Sequence, residues 1–97
     1  MSVNPARPVK EATLVNVHTV AEVYAQLVQQ LDFPADFGYN LDALYDVLTG
    51  ALPGPVRIIW RDALAARAAL PRHDFEDVLG VFNDASGERD DLEIVLT

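Results

Sequence analysis

The chain has no cysteine among its 97 residues, one methionine, one tryptophan and two histidines. Without cysteine there can be no disulfide, thiolate metal site or cysteine nucleophile. His18 and His73 stand apart, without the spacing of a metal-ligand pair. No apolar run is long enough to span a bilayer, and the leading segment Met1 to Lys10, with two prolines, lacks the apolar core of a signal peptide. The expected location is the cytoplasm, with no membrane partner. Ser2 and Ser86 lack a G-x-S-x-G setting, and there is no P-loop, dinucleotide fingerprint or EF-hand loop. No enzyme activity, cofactor or metal is therefore expected.

Basic residues are also scarce. Seven Lys and Arg face fifteen Asp and Glu, for a net charge of -8. That argues against a nucleic-acid partner, because affinity for the phosphate backbone comes from clustered cations. A cationic partner suits the chain better. The charge is also unevenly placed. From Glu11 to Pro55 there are six acids and no Lys or Arg, residues 56 to 72 hold Arg57, Arg61, Arg67 and Arg72 against Asp62 alone, and from His73 onward eight acids face only Arg89. The same imbalance also serves simply to keep a small protein soluble.

What is present suits one domain with a modest core, since 51% of the residues are hydrophobic. The expected boundaries are a flexible leader over residues 1–10 and a single domain over 11–97. Ala12 to Val17 reads as a first strand. Thr19 followed by Glu22 makes a capping box for a helix whose apolar face is Val20, Val23, Tyr24, Leu27 and Leu31. Val56 to Trp60, after Pro53-Gly54-Pro55, reads as a strand inside the sheet. Ala63 to Leu70 reads as a short helix, and Asp74 as the cap of another with a Phe75, Val78, Leu79, Phe82 stripe. Gly87 and Arg89-Asp90-Asp91 read as a polar turn before a final strand, Leu92 to Thr97, in which Leu92, Ile94 and Leu96 share a face. Strands separated by helices pair in parallel through right-handed crossovers. The expectation is an α/β fold, a small three-stranded parallel sheet packed with about four helices.

The most distinctive stretch is residues 33–50. Pro34 and Gly38 suit a turning loop, Asn40 can cap a helix starting near Leu41, and Gly50 can end it in the left-handed conformation. Leu41, Leu44 and Leu48 form one apolar stripe, while Asp42 and Asp46 lie one turn apart on another face with no basic residue on that helix. Such a pair can serve acid-base chemistry, bind a cation, or be a solvated helix face. The first needs a water-excluding pocket that separates the two pKa values, and the second needs more oxygens.

The run Asn40-Leu41-Asp42-Ala43-Leu44-Tyr45-Asp46-Val47-Leu48-Thr49-Gly50, preceded by Pro34 and Gly38, closely resembles the barstar family of intracellular ribonuclease inhibitors. Weaker similarity continues through Val56 to Arg61, Phe75 to Ala85 and Leu92 to Thr97. The resemblance implies the same three-stranded parallel sheet and a non-enzymatic role: blocking a secreted microbial guanyl-specific ribonuclease, one to one, in its basic active-site cleft. It implies that Asp42 and Asp46 enter that cleft and meet Arg, Lys and His groups, Asp46 deepest. Asp36 stands where the family has an aromatic that stacks on the catalytic histidine, and it can pair with that histidine or remain a solvated loop acid. Phe37 matches a second aromatic and anchors the loop. Gly38 serves the backbone conformation and can present its carbonyl, Tyr39 replaces an acid, and Asn40 caps. Tyr45 replaces a tryptophan, packing in part with contact at its edge. Thr49 and Gly50 complete the helix end beside the partner, Ala51 replaces another tryptophan, and Asp84 aligns with an acid that meets an enzyme arginine, with Glu88 a weaker match. The alternative is a barstar-like adaptor or immunity protein that binds a different cationic protein or toxin without inhibiting a ribonuclease.

Overall fold

The computed structural model describes residues 8–97. The order is β1 (Lys10–Leu14), α1 (Val20–Gln30), α2 (Leu41–Asp46), a π-helical turn over Val47–Ala51, β2 (Val56–Trp60), α3 (Ala63–Ala69), α4 (Arg72–Glu88) and β3 (Leu92–Leu96). The three strands form one parallel sheet in the order β1-β2-β3, so the β-branched Val56 to Trp60 run is central, as its composition implies. The expected α/β class, strand number and direction hold. Most of the expected leader falls on residues 1–7, outside the described residues.

Register puts Ala12, Ile58 and Ile94 in one row and Leu14, Trp60 and Leu96 in another, facing the helices. Trp60 is fully buried there, its ring 5.1 Å from Phe75 and 5.8 Å from Phe82 of α4. On the opposite face Glu11, Arg57 and Glu93 share a row, and the Arg57 guanidinium donates to both carboxylates at 2.6 and 2.7 Å. A charge triplet there lets the sheet keep one face toward water.

The ends of the elements differ from the sequence expectation, each for a local reason. β1 starts two residues and ends three residues earlier than expected, because its pairing with Val56–Trp60 starts at Lys10 and Asn16 turns the chain at φ 51°. Its outer edge is covered by side chains of α1: the Gln30 amide accepts from Thr13 N and donates to Thr13 O, and Gln26 does the same with Val15, all at 2.8–2.9 Å. Two glutamines one turn apart thus take the place of a fourth strand. The Thr19–Glu22 capping box is present at the start of α1. Asp74 does not cap α4; it lies in the first turn, and the helix starts after Pro71, whose carbonyl takes the Asp74 and Phe75 amides. Gly87 stays within α4 instead of ending it. Leu96, expected on the buried face, is 48% exposed, in a groove that α3 and α4 leave open beside Leu64.

Arg89 is the largest departure from the reading as a polar turn. It leaves α4 and reaches inward, where Nη1 donates to Leu48 O at 2.9 Å and Leu52 O at 2.8 Å, and Nε donates to Asp91 Oδ1 at 2.6 Å. A cation thereby satisfies carbonyls at the end of the α2 region and ties them to the start of β3. Gly54 packs against this pair, and a Cβ there would overlap the Asp91 carboxylate and the Arg89 guanidinium. Among the described residues no helix is long and apolar enough to cross a membrane.

Arg89→Ala is expected to lower unfolding free energy by about 2–3 kcal/mol, because it takes the donor from two carbonyls in a half-buried site. Urea denaturation measures this, and a loss under about 0.5 kcal/mol, the level of an ordinary surface substitution, would mean that water serves these groups equally well.

Candidate functional site: an acidic helix and its loop

The loop after α1 is built on aromatic packing. Phe37 is 7% exposed, with its ring centroid 4.9 Å from Phe33, 5.7 Å from Tyr24 and 4.8 Å from Tyr39. It anchors the loop, as expected. The backbone solution is different from the expected one. No glycine among the described residues takes a positive φ, and the left-handed residue of the loop is Tyr39, at φ 54°. Gly38 is needed for closeness instead, since a Cβ there would sit 3.2 Å from Asn40 Nδ2 and 3.4 Å from Ala43 Cβ. Asn40 caps α2: its Oδ1 accepts from Ala43 N at 2.8 Å, while Nδ2 donates to Gly38 O at 3.3 Å. The carbonyl expected to face a partner therefore already carries an internal bond.

Leu44, Val47 and Leu48 are buried, which fixes α2 and its extension on the body of the protein, against α4. The helix does not stop at Gly50. After Asp46 it widens into the π turn, which closes with Leu52 N donating to Val47 O at 2.9 Å, and Gly50 sits within the turn without the left-handed conformation. The Thr49 hydroxyl donates to Tyr45 O at 2.8 Å, an internal role.

This scaffold presents the acids outward. Asp36, Asp42, Asp46 and Asp84 are all exposed, and none has an ion-pair partner among the described residues. Asp42, Asp46 and Asp84 line one open depression together with half-buried Tyr45. A second concavity, beside the loop, is lined by Asp36, Phe37, Gly38, Asp46 and Ala51. Asp46 thus stands between the two. The structure therefore brings Asp84, 38 positions further along the chain, to the two aspartates of α2.

Tyr45 shows the local field. Burial, then the Glu88, Asp84 and Asp46 carboxylates, push its phenol above the ordinary tyrosine value, so it stays neutral in this acidic surface. Tyr39 is 56% exposed and Ala51 is exposed at the rim. Among the described residues no group of three or more His, Asp or Glu side chains is arranged to hold a metal ion. The arrangement offers several unpaired carboxylates on a fixed support, which suits the capture of cationic groups. Sequence reading missed one part of this surface: Tyr24, Asp74 and Asp77 form a cleft with Asp42 and Tyr39. The only sequence signal was two acids three residues apart at the start of a helix, which is common.

The family model described as "Barstar (barnase inhibitor)" matches residues 7–97. Among curated proteins, the chain is 33% identical over 75 residues to "Putative ribonuclease inhibitor YrdF" of Bacillus subtilis (strain 168), covering 76% of this chain and 81% of that protein. With every described residue inside the match, and the acidic helix, its loop and the three parallel strands all in place, the chain belongs to the barstar family.

Proposed function

We propose that this protein inhibits a microbial guanyl-specific ribonuclease by inserting the Asp36 to Gly50 loop and helix into the enzyme's active-site cleft, in a one-to-one complex. The observation that carries this reading is the set of unpaired carboxylates, Asp42, Asp46 and Asp84, exposed together in one depression of a chain of this family. A ribonuclease cleft holds substrate phosphates with Arg, Lys and His. Carboxylates compete for the same groups through charge-assisted bonds, often bidentate with guanidinium. Asp46, shared by both concavities, takes the central position. Because α2 is held by buried leucines and the loop by Phe37, little ordering cost falls on binding. Inhibition is by occupancy, with no reaction, and the net charge of -8 draws a cationic enzyme in at a rate that falls with salt. The enzyme is a secreted one, and the inhibitor protects the cytoplasm of the bacterium that makes both. The departures at Asp36, Tyr39, Tyr45 and Ala51 fit a partner whose cleft differs from that of the family's type enzyme.

RNA cleavage by a panel of such ribonucleases, titrated with this protein at low and moderate salt, tests the reading. Asp46→Ala is expected to weaken inhibition most, by roughly one to five orders of magnitude, the span of charge-pair coupling energies in the family's type complex. Asp42→Ala comes next. Glu22→Gln keeps the cap of α1, where the carboxylate accepts from His18 N and Thr19 N, and should change inhibition little. Equal losses from all three would reduce the site to bulk charge. Binding to a ribonuclease without loss of cleavage would instead make the protein an adaptor for a cationic partner.

A further inference from the structure

On the side of Asp42 away from Asp46 lies a cleft between the start of α1, the 37–41 loop and the start of α4. Its walls include Val20, Tyr24, Tyr39, Asp42, Asp74 and Asp77, and no Lys, Arg or His lines it. None of the three carboxylates has an ion-pair partner among the described residues. The second observation is Tyr24. It is 6% exposed, its ring lies edge-on to Tyr39 at 6.2 Å, it lines the cleft, and its hydroxyl has no hydrogen-bond partner among the described residues. The residue is buried but its hydroxyl opens to the cleft, where it can accept from a donor held there. Burial, and after it the Asp74 carboxylate, push its pKa above the ordinary value, so it is neutral whenever a ligand arrives.

The spacing selects the ligand. No three of these side chains are arranged to hold a metal ion, and a hard cation usually needs more oxygens than two carboxylates offer. A guanidinium carries five donors in a plane, can reach separated acceptors together, and stacks on aromatic rings. We propose that this cleft receives an arginine side chain of the partner protein, next to the cations that Asp42 and Asp46 engage. The inference rests on the reading of the acidic helix and loop as the docking face. It adds Tyr24, Asp74 and Asp77 to that face, as the groups that select partners with a correctly placed arginine.

The test is a 15N NMR titration of the full chain, at low ionic strength, with N-acetyl-arginine methylamide and with its neutral isostere, N-acetyl-citrulline methylamide. The arginine compound should give saturable shifts centred on Tyr24, Tyr39, Asp74 and Asp77, and the citrulline compound none. Tyr24→Phe combined with Asp77→Asn should weaken arginine binding by about tenfold or more, while Asp90→Asn, an exposed acid outside the cleft, should leave it unchanged. Tyr24→Phe keeps the ring and removes an unpartnered hydroxyl, so the fold should survive, and spectral dispersion checks this. Absent or unsaturable shifts, equal shifts with citrulline, or an equal loss from Asp90→Asn would each overturn the proposal. No ribonuclease enters this experiment. Arginine held in the cleft with no ribonuclease inhibited would overturn the named target alone, whereas inhibition lost in Asp46→Ala with an empty cleft would overturn only the inference drawn from Tyr24.

Discussion

The Arg89 guanidinium holds the end of the acidic helix. Helices leave their last carbonyls unsatisfied, and a short helix that widens into a π turn needs an external donor to end in place. Arg89 supplies two bonds to Leu48 and Leu52 and is itself oriented by Asp91 at the entrance to β3. The sheet, the last helix and the acidic surface therefore meet at one cation. The other end of α2 is fixed by the Asn40 cap, beneath it lie buried leucines, and Phe37 anchors the loop before it. The backbone that carries Asp42 and Asp46 is thus held at both ends and from beneath.

Where the other cations go matters as much. Lys10 pairs with Asp32, Arg57 with Glu11 and Glu93, and Arg72 at long range with Glu76. None of these lies against the α2 acids. The sheet row of Glu11, Arg57 and Glu93 neutralises acid on the face of the sheet opposite Trp60. Asp42, Asp46, Asp77 and Asp84 keep their charge unpaired and exposed among the described residues, a state that contributes little to stability and is useful for meeting a cationic surface. A chain selected for solubility alone would not require the acids to be collected on one side of a rigid helix.

Much of this was legible in the chain itself. Capping boxes, β-branched runs and leucine spacing act over one or two turns, so the Thr19 cap, the central strand Val56 to Trp60, the Asn40 cap and the outward aspartates could be read directly. The resemblance of the Asn40 to Gly50 run pointed to the family that the full-length match then showed. Errors fell where a residue's role depends on something distant in sequence. Gly50 and Gly38 looked like conformational glycines, but the left-handed residue is Tyr39, because the aromatic cluster holds it there. Arg89 looked like turn polarity, because nothing near it in sequence announces carbonyls roughly forty positions earlier.

The sequence by itself determined the elements, their parallel pairing and the acidic helix, since periodicity, caps and crossover handedness are local or topological. Tertiary structure decided which acids lie together. Only packing of α2 on α4 sets Asp84 beside Asp42 and Asp46, and only the approach of α1 to the start of α4 makes a cleft of Tyr24, Asp74 and Asp77. Charge acts through space and falls off within nanometres, so its meaning rests on distances that no linear spacing encodes.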